Sequence, residues 1–260
     1  MKLPTRIILI VLSSIILSPT AWAFQNAVVK IYTSYNGYDY KEPWQKKGPQ
    51  TCTGSGCIIS GKKILTNAHV VADQSFIQVS KVGDQRKYIA EVEAVSHECD
   101  LAILRVKDEE FFVGVIPIEI GNPAQLLDRV VVYGYPEGGE NVFATEAQIS
   151  RIEHTMYEHR YTNLLTYQLN VPIKNGNSGG PVLKDNRLVG VAFESGANED
   201  NKDVGLIIPT PVINQFLADI ADGKNDGIPS LGITLQAIEN PDLKLKLGMA
   251  ENQSDRKSVV

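Results

Sequence analysis

The stretch "KNGNSGGPV", Lys174 to Val182, sets one hydroxyl residue, Ser178, among residues that favour turns and directly before an apolar run. Gly176, Gly179 and Gly180 reach backbone angles closed to other residues, and Asn175 and Asn177 tolerate them better than most. Such a loop can turn amide N–H groups inward around the hydroxyl, which is what stabilises the oxyanion of acyl transfer. A plain Gly/Asn hairpin turn would use the same residues, so the stretch has to be weighed with its partners.

A serine hydroxyl is a poor nucleophile until a base removes its proton and a third group holds that base. "KILTNAHV" supplies His69 directly after an extended apolar run. "ECDLAILRV" joins Asp100 to a strongly apolar strand, where an acid costs energy unless it is paired. Taken singly, His69 reads as a surface or core-edge histidine and Asp100 as a strand-start residue facing solvent. Taken together, His69, Asp100 and Ser178 follow one another in the order His, Asp, Ser, one of several chain orders in which unrelated folds build a catalytic triad. A lipase or esterase fits poorly, because its "GxSxG" serine stands on a strand-to-helix turn and Ser178 leads into strands. His97 and Cys99 lie close together, and His154 and His159 share a polar loop, but neither pair has a second pair at zinc-like spacing. No metal and no cofactor is therefore expected.

The rest of the chain supports an all-β fold. Twelve short runs rich in Val, Ile, Thr and Tyr, from "VVKIYT" (Val28 to Thr33) to "VGLIIPT" (Val204 to Thr210), recur between turn signals with no helix between them. That pattern predicts antiparallel sandwiches or barrels rather than a βαβ fold. One helix is predicted late, over "PTPVINQFLADIA", with Val212, Phe216, Leu217 and Ile220 on its apolar face and Gly223 ending it. A polar linker, "DGKNDGIPS", follows, and the remaining thirty or so residues are too few to bury much of a core alone. No internal repeat or low-complexity tract is visible.

Composition is that of a globular protein: 260 residues, 43% hydrophobic and 21% charged. At the amino end, Lys2 and Arg6 precede "IILIVLSSIIL", and Ala21 and Ala23 in "AWA" supply small residues at a cleavage site. The run is shorter than the ~20 residues that span a bilayer. Residues 1–23 thus read as a secretory signal peptide, Phe24 as the new amino terminus, and the mature chain as exported, periplasmic or secreted, with no membrane span left after cleavage. The signal carries two cations and no carboxylate, so the net charge of −5 becomes roughly −7. An acidic chain without a basic patch excludes nucleic acid as a partner. Of the three cysteines, Cys52 and Cys57 stand in extended chain about 16 Å apart, beyond disulfide reach, so no bridge is expected between them.

The motifs "TGSGCIIS", "ILTNAHVV", "CDLAILRV", "GYPEGG", "GNSGGPV" and "GLIIPTPVI" resemble the protease domain of the HtrA/DegP (Deg) family, over roughly Val28 to Ile220, and are most similar to its plant-type branch. The resemblance implies a chymotrypsin-like pair of perpendicular six-stranded β-barrels with a C-terminal helix and an active site between the barrels. It implies a homo-oligomer assembled from trimers that cleaves unfolded or damaged polypeptides without ATP. Carried over by motif, His69 is the general base, Asp100 orients it and Ser178 is the nucleophile. Gly176 and Ser178 offer the oxyanion-hole amides, and Val191, Ala192 and Phe193 line the specificity pocket and pair with substrate backbone. The alternative on the same fold is a latent, chaperone-like protein-binding module. Two departures stand out: Cys57 replaces a large apolar residue of the family pattern, and "LGITLQAIENPDLKLKLGM" resembles only the opening of the family's PDZ domain. The expected division is a signal peptide over 1–23, a trypsin-like protease domain over 24–222, and a linker with an incomplete PDZ-like segment over 223–260.

Overall fold

The computed structural model describes residues 24–45, 47–136, 139–157, 162–197, 203–228, 234–250 and 256–259. The expected signal peptide and His159 lie outside the described residues. Each of the twelve apolar runs forms a strand. The first six are β1 (Val28–Tyr35), β2 (Gln50–Ile59), β3 (Lys63–Thr66), β4 (Gln74–Lys81), β5 (Tyr88–Ser96) and β6 (Leu101–Val106). They close into a barrel in the order β1-β2-β3-β6-β5-β4, with β4 pairing back onto β1. The second six are β7 (Arg129–Gly134), β8 (Phe143–Tyr157), β9 (Thr162–Leu169), β10 (Pro181–Lys184), β11 (Arg187–Ala197) and β12 (Asp203–Pro209). They also close, as β7-β8-β9-β12-β11-β10, which repeats the first barrel's order strand for strand. Closure pairs the barrel strands on both sides, except where a bulge interrupts a ladder, as between Ala192 and Glu194 on β11.

Alternation explains the pattern along each strand. On β5, Tyr88 and Ala90 are buried while Ile89 and Glu91 are exposed. On β6 the four residues Leu101 to Leu104 are all buried, so this strand is covered on both faces and reads as a continuous apolar run. The second barrel's interior gathers Val130, Val132, Ile149, Leu169, Val182, Ala192 and Ile207. Burying each large aliphatic side chain contributes roughly 1.5–3 kcal/mol.

Helix α1 (Thr210–Asp219) leaves β12 with Pro211 in its first turn, packs on β11 and β12, and ends in a short 3₁₀ turn before Gly223. Its buried row is Ile213, Phe216 and Ile220, whereas Val212 and Leu217 are half-buried. Phe216 and Ile220 lie on the predicted face, and Ile213 rather than Val212 or Leu217 completes it, because the row spaced three and four apart through Ile213 is the one turned onto the barrel. The described residues up to Asn225 form one compact unit and those from Asp226 onward another. The second unit contains β13 (Thr234–Ala237) paired antiparallel with β14 (Arg256–Val259), and helix α2 (Pro241–Lys246), capped by the Asn240 side chain. Among the described residues no helix is long and apolar enough to cross a membrane.

Candidate active site

His69 opens a 3₁₀ turn directly after β3, and Asp100 stands one residue before β6. These two strands are hydrogen-bonded neighbours, with Thr66 opposite Ala102, so one ladder brings both residues to the same end of the first barrel. Asp100 is 3% exposed and adopts a left-handed backbone angle, φ 52°, which aspartate tolerates better than most residues. Its carbonyl accepts from the Ala68 amide at 3.1 Å and from Asn67 Nδ2 at 3.0 Å. Its carboxylate then grips His69 twice: Oδ1 accepts the backbone N–H at 2.8 Å and Oδ2 faces Nδ1 at 2.6 Å. A carboxylate only accepts, so the proton of a neutral ring sits on Nδ1 and Nε2 is left as the basic nitrogen.

The second barrel carries Ser178 in the loop before β10. Gly176 has φ 92°, and the Asn177 amide donates to the Lys174 carbonyl at 3.0 Å, which forms the turn. The Gly179 amide is held by the Ala192 carbonyl on β11 and the Gly180 amide by Asn177 O, each at 2.8 Å. Among the described residues the amides of Gly176 and Ser178 donate to no protein group, so two N–H groups of this loop stay available. Gly179 is required on two counts. Its φ is +84°, and a Cβ there would lie 2.1 Å from the Ser55 carbonyl oxygen and 2.3 Å from Thr66 Oγ1, both on the first barrel.

Ser178 Oγ donates to the Phe193 carbonyl at 3.1 Å. Phe193 sits at a bulge in β11, between Ala192 opposite Ile207 and Glu194 opposite Leu206, and its ring centroid is 6.3 Å from that of His69. Val191, Ala192 and Phe193 are all buried, and Ala192 belongs to the second barrel's interior. His69, Gly176 and Ser178 share a cleft of about 360 Å³ with Tyr35, Cys52, Thr53, Val70, Ala72 and Asp73. Sequence reading did not place Cys52 or the β1–β2 residues there; only the β1–β2 pairing, with Cys52 opposite Thr33, reveals it. All three thiols are free. Burial pushes the Cys52 thiol up, offset in part by its hydrogen bond with Thr33. Among the described residues no cluster of three or more His, Cys, Asp or Glu could hold a metal ion.

Two closed barrels, one presenting an aspartate-held histidine and the other a serine in a glycine loop, define the chymotrypsin-like class. The trypsin-like peptidase domain matches residues 54–191, just over half of the chain, and the chain belongs to that family. It is 47% identical over 220 residues to protease Do-like 4, mitochondrial, and 42% identical over 233 residues to protease Do-like 2, chloroplastic, both from Arabidopsis thaliana. These matches take in 84% and 89% of this chain but only 42% and 38% of the relatives, so the chain spans about two-fifths of their length. Among solved structures, the active form of the Rv3671c protease from M. tuberculosis matches with TM-score 0.63 and 27% identity, over 82% of this chain and 87% of that one. The HtrA-type protease AlgW with a decapeptide shares the fold, with TM-score 0.69 and 22% identity over 91% and 76% of the two chains.

One expectation is overturned. The exported, periplasmic or secreted location read from residues 1–23 conflicts with the mitochondrial and chloroplastic names of these relatives. The physical reason is that a short apolar run behind two cations is a weak address: organelle-directed leaders are also cationic and poor in acids, so the pattern alone does not name a compartment.

Proposed function

We propose that this chain is a serine endopeptidase that cuts unfolded or damaged polypeptides through an acyl-enzyme, without ATP, in protein quality control. The observation that carries the reading is the pair of hydrogen bonds from His69 to the Asp100 carboxylate, with His69 and Ser178 on one cleft. His69 Nε2 takes the Ser178 proton as Oγ leaves the Phe193 carbonyl and attacks the scissile carbonyl. The developing oxyanion is met by the Gly176 and Ser178 amides. His69 then protonates the leaving amine, water enters, and the same histidine activates it to release the acyl group. Asp100 keeps the ring in register and balances the imidazolium that forms.

Extended substrate pairs with the β11 backbone around Val191, Ala192 and Phe193, which suits unfolded chains because they expose strand-like apolar segments. The leaving-group side runs past His69 into the cleft lined by Cys52, Thr53, Val70 and Ala72. The division that the motif resemblance implies is kept in this proposal: a peptidase domain over 24–222, a linker with an incomplete PDZ-like segment over 223–260, and assembly from trimers. The organellar names of the Arabidopsis relatives support an organellar location. The deciding experiment is digestion of casein by the chain and by its Ser178→Ala form. Digestion by the parent alone supports the reading; equal digestion by both, or by neither, defeats it.

A further inference from the structure

The two amides that remain available belong to residues whose carbonyls are both held by a single residue of the other barrel. Ser55 lies on β2 in the first barrel and is 0% exposed. Its hydroxyl donates to the Gly176 carbonyl at 2.7 Å, and its own amide donates to the Ser178 carbonyl at 2.9 Å. The hydroxyl oxygen in turn accepts the Tyr135 amide at 2.9 Å, just beyond β7, and the Ser55 carbonyl accepts Thr66 Oγ1 at 2.7 Å. Every polar atom of Ser55 is therefore committed across or beside the seam between the barrels.

The geometry matters because a residue's N–H and C=O directions are linked through only φ and ψ. With Gly176 at φ 92°, holding its carbonyl on Ser55 restrains, through φ and ψ, where its N–H can point. Glycine has no side chain to hold that angle, so without the anchor the loop can rotate its peptide planes at little cost. Fixing the Ser178 carbonyl does the same for the second amide. An oxyanion hole works only when its donors are aimed before charge develops.

We propose that Ser55 is a positioning residue for the oxyanion hole: from the first barrel it pins the Gly176 and Ser178 carbonyls and so aims both amides of the second. The inference rests on the peptidase reading above. It predicts a defect in the chemical step rather than in substrate binding, since Ser55 is buried behind the loop and out of reach of substrate. Removing the hydroxyl in Ser55→Ala deletes the Gly176 anchor and strands the Tyr135 amide, while the backbone bond to Ser178 survives.

The test compares Ser55→Ala with the parent and with Thr166→Val, which breaks a buried hydroxyl contact to Thr155 in the second barrel wall. Peptide-amide kinetics should show kcat reduced roughly ten- to hundredfold in Ser55→Ala with KM within about threefold, and kcat within about twofold of the parent in Thr166→Val. Deuterium exchange should speed up across residues 174–180 in Ser55→Ala and not in Thr166→Val. An unchanged kcat, or a loss confined to KM, overturns the proposal, and so does unchanged exchange in that segment. If the parent itself turns over no peptide, the peptidase reading has failed, and the exchange comparison alone decides whether Ser55 orders the loop. Should the alanine form not fold, Ser55→Cys keeps a group of similar size with a weaker donor; a parental kcat there also counts against the proposal.

Discussion

The two barrels share one strand order yet secure their functional residues in opposite ways. In the first, His69 and Asp100 are held by their own barrel: adjacent strands β3 and β6 deliver them, and four hydrogen bonds to Asp100 come from residues 67 to 69. In the second, the Ser178 loop is short of internal restraint and borrows it, leaning on Ser55 of the first barrel and on β11 behind. A histidine–aspartate pair set by one ladder is a property of one barrel. A nucleophile loop set across the seam exists only when both barrels are docked, and activity is thereby coupled to their contact.

The largest test of that division is Ser178→Ala. Alanine fits wherever serine does, so stability should move by no more than ~1 kcal/mol, while turnover should fall on the order of 10⁶-fold because His69 has nothing left to activate. A variant that keeps even a tenth of parental activity means the nucleophile is another residue. Asp100→Asn should come next, with a loss of about 10⁴-fold. One Asn atom must be a donor, and both Asp100 oxygens already face N–H groups of His69, so either the turn loosens or the ring adopts the wrong tautomer. Retention of full kcat by the asparagine form would show that the ring needs no acceptor there.

Gly179→Ala probes the seam from the other side. The added methyl would meet the Ser55 carbonyl and Thr66 at distances no Cβ tolerates, at a residue already in the left-handed region. Together these should cost about 3 kcal/mol and lower kcat about a hundredfold as the loop is pushed off Ser55. Thermal unfolding and peptide turnover measured on the same sample check both; a parental kcat would uncouple the loop from the seam.

Much of this was legible in the sequence. Twelve runs rich in Val, Ile, Thr and Tyr give twelve strands because strand-favouring composition between turn signals is local information. His69, Asp100 and Ser178 stood out because glycine clusters and an acid on an apolar strand are locally conspicuous. The pair of six-stranded barrels came from the motif resemblance and not from the runs themselves, since unrelated side chains can build the same barrel and no repeat survives in the letters. Ser55 was invisible for another reason: an isolated serine in an extended run has no local signature, and its partner Gly176 lies 121 residues away. The bulge at Phe193, which frees a carbonyl for Ser178, was likewise missed because residues 188–193 are a continuous apolar run with no alternation in which a break in register could show. The choice of Ile213 over Val212 on the buried face of α1 reflects the weak contrast between these adjacent aliphatics, which only packing resolves.

The smallest expected effect separates the barrels by pH. All three thiols belong to the first barrel's residues, and burial raises Cys57 from 9.0 to about 12 and Cys99 from 9.0 to about 11. A thiol whose folded value lies above its unfolded one keeps more protons in the folded state, so the stability it contributes is complete below pH 9 and is lost as pH rises toward the folded value. For Cys57 that loss between pH 8 and pH 10 is on the order of 1 kcal/mol, because pH 10 lies about one unit past the unfolded value. Cys57→Ala lowers stability at both pH values through lost packing, so the quantity to compare is the change from pH 8 to pH 10 in parent and variant. Urea unfolding should show the alanine form losing less on going to pH 10, by on the order of 1 kcal/mol. Equal losses in the two proteins would mean that the Cys57 thiolate is accommodated in the folded barrel, and that the first barrel's wall around β2 is open to water where the structure has it closed.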